Sequence, residues 1–291
     1  MIRVLLLGRT GNNLFQYAFG RALARKYGVP LVLDGTWFNQ ASWQTIKPIG
    51  QLPLKATIDR GFSLPCRVIK KLCNRHPREW SPLRVLRENP AEQHFRAEYL
   101  DLGAEVFAMG FFQTELYFQE FAGELRSELD TSGLPWNSDT LRTADELASA
   151  GHSVAVHVRR TDYIGNSNAE ICGLDYYRRA MERMRQQFEH VRFHVFSDDP
   201  AWCVKNLAAD DVGICHLDGA SHHPLHDLHL MSRARHHIIA NSSYSWWAAW
   251  LGKTEGQIVL MPTQWFKGTM HTPIDEKRCP GWECIEAGLP K

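Results

Sequence analysis

From residue 153 onward the chain repeats short apolar runs, at 153–158 (SVAVHV), 191–197 (VRFHVFS), 212–217 (VGICHL), 236–240 (HHIIA) and 257–261 (QIVLM). Helical patterns separate most of them, and strands that alternate with helices pair in parallel to form an α/β sheet. One such helix is DYYRRAMERMRQQFEH (175–190), with Tyr177, Met181, Met184 and Phe188 on one stripe and Asp175 as its expected N-cap. Side chains of that size and spacing read as core.

The amino-terminal end follows the same logic. Residues 2–7 (IRVLLL) form a strand ended by Gly8, and the following NNLFQYAFGRALARKYG places Phe15, Ala18, Phe19, Ala22 and Leu23 on one helical face. Lys26 and Gly28 supply the stop, and VPLVLD (29–34) is the next strand. The resulting β-α-β unit has Gly8 and Gly11 in its first turn, which is not the dinucleotide fingerprint G-x-G-x-x-G. A chain of 291 residues accommodates two domains. A first lobe over 1–150 and a second over 151–291 are therefore expected, with 111–150 helical and closing the first, and the last residues packing back on it. Prolines at 48, 53, 65, 77, 82 and 90 break 35–110 into pieces without a periodic pattern.

The 33 Lys and Arg against 32 Asp and Glu give no overall field, which argues against nucleic acid as the main ligand. The local exception is 60–89, with eight basic residues against Glu79 and Glu88. Such a run reads first as solvated surface, and second as peripheral contact with anionic lipid or a phosphorylated acceptor. Seven scattered cysteines without a C-x-x-C suit a reducing cytoplasm. The opening MIRVLLLGRTG is too short for a secretory h-region or a membrane span and reads as a buried strand.

If the strands of the second half are parallel, one edge of the sheet collects HVRRTD (157–162), SDD (197–199) and ANSSYSWW (240–247). Two arginines offer fork-shaped donors that match phosphate oxygens, and a Ser-Ser pair opening the helix YSWWAAWL adds hydroxyls and backbone N–H groups. A diphosphate site is the expectation. Asp227 opens the helix DLHLMSRA, where its carboxylate either accepts hydrogens from guanine N1 and N2 or serves as an N-cap. No D-x-D occurs, so no metal is expected. His222, His223, His226 and His229 are spread around a proline with no cysteine close by, and read as loop and helix surface.

These blocks, HVRRTD, FSDDPAWC, DLHLMSRARHHIIANSSYSWWAAWL and GRTGNNLFQYAFGRALA, together resemble the bacterial α-1,2-fucosyltransferases. The resemblance implies an α/β fold of GT-B type, with two facing Rossmann-like lobes and a donor cleft. It implies an inverting, metal-independent transfer from GDP-fucose to the 2-hydroxyl of a galactose-terminated oligosaccharide or lipid-linked glycan, the alternatives being fucosyl transfer in another linkage or to a protein, and non-catalytic binding of a nucleotide or polyanion. Carried over by position, Arg159 would bind the β-phosphate, His157 would lie beside the nucleoside and Asp227 would read guanine. Ser242, Ser243 and Tyr244 would close around the diphosphate with Asn241 and Asp198 beside them, and Gly11 and Asn12 would reach the donor from the first lobe. Asp162 is expected to hold Arg159 or Arg160, and Asp162, Glu170 and Asp34 are the candidate bases. The first block here reads GRTGNN, nearer to the protein O-fucosyltransferases, and Ser167 stands where the core α-1,6 enzymes carry a glutamate. The resemblance also places the work in the cytoplasm, at the inner membrane face.

Overall fold

In the computed structural model, residues 1–35, 48–59, 84–215 and 225–288 are described. The chain forms two compact units, Met1–Asp130 and Thr131–Lys291. Each is a Rossmann-like α/β lobe built on a parallel sheet, as the alternating sequence pattern requires.

In the first unit, β1 (Ile2–Leu5) leads into α1 (Thr10–Tyr27), β2 (Leu31–Asp34), β3 (Thr57–Asp59), β4 (Arg84–Arg87) and β5 (Val106–Met109). Among the described residues the sheet order is β3-β2-β1-β5-β4, all parallel. α1 stops where expected: Gly28 takes the left-handed conformation (φ 63°) and its N–H closes on the Ala24 and Arg25 carbonyls. Gly8 is also left-handed (φ 73°), and a Cβ there would collide with the amide of Asn12. β4 and β5 lie in the stretch that shows no periodic pattern; β5 is a four-residue apolar run, VFAM, ended by Gly110. Of the basic segment 60–89, only residues 84–89 lie among the described residues. α2 (Ala122–Glu128) closes the unit, because the buried Glu128 carboxylate accepts from Tyr17 Oη (2.5 Å) and Arg21 Nη2 (2.8 Å) on α1.

The second unit begins with α3 (Ser138–Ser149), whose N-cap Asn137 accepts from Thr140 N at 2.8 Å. There follow β6 (Ser153–Val158), α4 (Leu174–Gln187), β7 (Arg192–Ser197), α5 (Pro200–Leu207), β8 (Val212–Cys215), α6 (His226–Arg233), β9 (His236–Ile238), α7 (Ser243–Leu251), β10 (Val259–Pro262), α8 (Ile274–Lys277) and β11 (Glu283–Ile285). The sheet order is β11-β10-β9-β6-β7-β8, again parallel. β6 is buried along its whole length, as a central parallel strand must be. Val154, Val156 and Val158 form one core with Tyr176, Tyr177, Met181 and Met184 of α4. Trp246, Trp247 and Trp250 bury α7 on several sides.

Several details differ from the sequence reading. The segment 111–150 is not one helical stretch: short 3-10 turns precede α2, and the loop carrying Gly133, Pro135 and Trp136 separates it from α3. The boundary falls at Asp130–Thr131 and not at 150, because α3 packs its Thr140, Ala144 and Leu147 face with α6 in the second unit. The N-cap of α4 is Gly173, and Asp175 sits in the first turn, where a negative charge still favours the helix dipole. Phe188 ends α4 in an extended conformation. The last described residues extend the second unit's own sheet as β11, and Arg179 Nη2 donates to the Glu286 carbonyl at 2.7 Å. Among the described residues, no helix is long and apolar enough to cross a membrane.

Leu147 is fully buried on α3, so Leu147→Ala should cost about 2 to 5 kcal/mol. Native-state amide exchange should quicken in β6 and α6 and stay unchanged in β1 and α1. Faster exchange confined to the first unit would place α3 there instead.

Candidate functional site

In an open parallel sheet, ligands bind beyond the carboxyl ends of the strands where the strand order reverses. In the second unit that point lies between β6 and β9: the chain runs outward through β7 and β8, then returns to β9 on the other side of β6. The residues leaving β6 are Arg159–Asp162, and those leaving β9 lead into Ser242 and α7.

Arg159 is half-buried between two carboxylates, with Nη2 at 2.7 Å from Asp162 Oδ1 and Nη1 at 3.0 Å from Asp198 Oδ2. Burial works against its charge, but these two partners hold its pKa above the ordinary value. Its guanidinium lies 5.8 Å from the Tyr163 ring centroid. Asp198 also accepts from Arg160 N (2.8 Å) and Thr161 Oγ1 (2.7 Å). Arg160 turns the other way: Nε donates to Asp199 Oδ2 at 3.1 Å, and its guanidinium lies 4.0 Å from the Trp202 ring centroid. Asp199 in turn caps α5 by accepting from Trp202 N. The adjacent aspartates thus divide their work between the two arginines.

On the β9 side, Ser242 is the N-cap of α7, its Oγ accepting from Tyr244 N at 3.4 Å. Ser243 is the first residue of that helix. The helix N-terminus, two serine hydroxyls and an arginine at the switch point make an arrangement suited to an anion. The Tyr244 hydroxyl accepts from Leu228 N (2.9 Å) at the start of α6, and burial pushes its pKa well up. Asp227 lies in the first turn of α6, but the N-cap is Leu225, so the N-cap reading of Asp227 does not hold. Its Oδ1 lies 3.3 Å from His226 Nδ1.

His157, on β6, is buried with its ring 6.1 Å from that of Tyr244. Desolvation, reinforced by the Arg159 charge, pushes its pKa down to about 4. Its Nδ1 is buried with no hydrogen-bond partner among the described residues. Asn241 is placed differently from a donor contact: its Nδ2 donates to the Ala169 and Trp265 carbonyls (2.9 and 3.0 Å), and its Oδ1 accepts from Cys172 Sγ. Both amide hydrogens are committed, so the side chain ties the loop after β6 to the segment after β10. Glu170 accepts from Gly165 N at 3.2 Å within that same loop. Tyr163, which the sequence reading did not single out, donates to the Asn241 carbonyl at 3.2 Å.

The remaining predicted residues belong to the first unit. Gly11 and Asn12 open α1, and Asn12 Oδ1 accepts from Gln113 Nε2 at 2.7 Å. Asp34 pairs with Arg3 at 3.1 Å. Among the histidines, His222 and His223 lie outside the described residues. His229 is buried and not on the surface, stacked on Trp136 (4.8 Å) with Nδ1 at 2.9 Å from Thr131 Oγ1. Among the described residues, no group of three or more His, Cys, Asp or Glu could hold a metal ion.

The family description that matches residues 91–286 is glycosyl transferase family 11. The chain is 31% identical to an alpha-1,2-colitosyltransferase of Escherichia coli, over 97% of both chains. It is 30% identical to the O-antigen biosynthesis glycosyltransferase WbnK of Escherichia coli, over 90% of this chain and 94% of that one. A galactoside 2-alpha-L-fucosyltransferase, Sec1 of Mus musculus, is 26% identical over 90% of this chain and 66% of its own length.

Because folded His157 resists protonation, the unfolded chain takes up a proton near pH 6.5 that the native protein refuses until about pH 4; buried His236 and His237 behave alike. Their contribution to stability is complete above pH 6.5 and is lost as pH falls from there toward 4. Urea midpoints should fall across that window, and the His157 ring signals should show no titration above about pH 5. A His157 step near pH 6.5 would contradict the burial described.

Proposed function

The chain belongs to glycosyl transferase family 11, and on that premise we propose that it transfers L-fucose from GDP-fucose to the 2-hydroxyl of a galactose-containing oligosaccharide. The transfer inverts the anomeric carbon and uses no metal. The observation that carries this reading is the gathering of Arg159, the α7 N-terminus with Ser242 and Ser243, and Asp227 at one switch point.

The acceptor hydroxyl oxygen attacks C1 of fucose while the C1–O bond to the β-phosphate breaks, GDP leaves with the electron pair, and the hydroxyl proton passes to water. Negative charge grows on the β-phosphate, and donors already aimed at developing charge lower such a barrier most. Each terminal nitrogen of Arg159 carries two hydrogens, so the bonds to Asp162 and Asp198 leave a second hydrogen on each for phosphate. Asp162 acts as the residue that holds Arg159. Glu170 accepts from Gly165 N and steadies its own loop. Asp227 accepts the N1 and N2 hydrogens of guanine. The similarity to WbnK supports a place in O-antigen assembly.

The similarity to the colitosyltransferase supports a second reading, in which the sugar is colitose, which is fucose without its 3-hydroxyl. Incubation of lactose with GDP-fucose, GDP-colitose, GDP-mannose or UDP-galactose, with and without EDTA, separates the readings. NMR of the product should show an α-1,2 linkage to galactose, formed equally in EDTA. Activity abolished by EDTA and restored by manganese would overturn the clamp, and a preference for GDP-colitose would select the second sugar.

Arg159→Lys keeps the charge and loses the fork, so kcat/KM should fall by about ten- to a hundredfold with the melting curve preserved. Asp227→Asn puts an NH2 donor against the donor hydrogens of guanine, and the donor KM should rise. Full activity in Arg159→Lys, or an unchanged donor KM in Asp227→Asn, contradicts these roles.

A further inference from the structure

We propose that His226 is a positioning residue that fixes the carboxylate of Asp227 for a guanine base, with Thr140 setting which ring nitrogen carries the proton. The inference rests on the nucleotide reading of Asp227 and extends it to two residues outside the family-like motifs.

His226 lies between two partners of opposite demand. Its Nδ1 is 3.3 Å from Asp227 Oδ1 and its Nε2 is 3.0 Å from Thr140 Oγ1. An ionised carboxylate only accepts, so Nδ1 carries the proton that bridges to Asp227. In the tautomer that carries its proton on Nδ1, Nε2 is an acceptor and the Thr140 hydroxyl donates to it. This chain of bonds is anchored at its far end: Thr140 is buried on α3, and its backbone N–H is held by the Asn137 cap at 2.8 Å. The Trp136 and His226 rings meet in a T-shaped arrangement with centroids 6.1 Å apart, and Trp136 Nε1 donates to the Thr131 carbonyl at 2.9 Å.

The chemistry of the base explains why Asp227 needs such support. Guanine presents two N–H groups side by side, and a carboxylate meets both only when its plane is aligned with them. A carboxylate in the first turn of a helix is free to rotate about its last torsion unless something holds it. The His226 hydrogen bond engages Oδ1 and restrains that rotation. Adenine has no N1 hydrogen, so the same restraint favours guanine over adenine.

Equilibrium titration of the full chain with GDP, ADP and IDP (whose base lacks the 2-amino group) tests the proposal. His226→Phe keeps an aromatic ring beside Trp136 and removes both hydrogen bonds, whereas His226→Asn places an amide donor near the former Nδ1. GDP affinity should fall about tenfold in His226→Phe, the preference for GDP over IDP should shrink, and His226→Asn should restore most of the loss. The donor KM should follow the affinity, with kcat changing much less. A packing role predicts the reverse order, with phenylalanine tolerated and asparagine damaging, and that result overturns the proposal. GDP affinity unchanged in His226→Phe but lost in Asp227→Asn overturns it while sparing the nucleotide reading. Unchanged affinity in Asp227→Asn removes both. If His226→Phe does not fold, Thr140→Val decides: a loss of about threefold in GDP affinity supports the relay, and none overturns it.

Discussion

The carboxylate of Asp198 is the constraint on which the site depends. It sits just past β7 and accepts at once from the Arg159 guanidinium, the Arg160 backbone N–H and the Thr161 hydroxyl. These three bonds turn the chain sharply as it leaves β6, so that consecutive arginines point to different places. One remains at the switch point, and the other is spent on Asp199 and the face of Trp202. Parallel pairing of β6 with β7, with His157 opposite Phe196, delivers Asp198 to this position. Sheet register and site geometry therefore rest on the same contact.

Much of this was legible in the sequence because it depends on local pattern. Apolar runs of strand length divided by amphipathic helices allow little other than a parallel sheet, and polar residues at strand ends then fall on one edge. The stripe of Tyr177, Met181 and Met184 is core, as its spacing implied. What stayed hidden depends on partners distant in sequence. Asn241 looks like a polar group at a strand end, yet its amide is consumed by Ala169 and Trp265. His229 looks like a surface helix position, and its burial is decided by Trp136 and Thr131 from an element that sequence reading had assigned to the other lobe. β4 and β5 were missed because four-residue strands, one of them carrying two arginines, give no periodic signal.

The misplaced boundary and the unrecognised histidines have one cause. Residues 131–149 have no strand to reveal their sheet, and as an amphipathic helix they could cover either lobe. Packing chose α6, and with it came Trp136 and Thr140, which line the side of α6 that carries His226 and His229. The α6 N-terminus is therefore supported from two directions, by the Tyr244 hydroxyl on Leu228 N and by the α3 contacts on His226. The helix start that carries Asp227 is thus braced by Thr140 and Tyr244, both distant from it in sequence.

The central claim is that a guanine nucleotide is held at the carboxyl ends of β6 and β9 in the second unit. Photolabelling with 8-azido-GDP, followed by peptide mapping, tests it most directly. The account predicts that label is captured by peptides containing 157–163 or 225–230 and is displaced by GDP. Label that GDP displaces but that maps only to peptides of the first unit would contradict it.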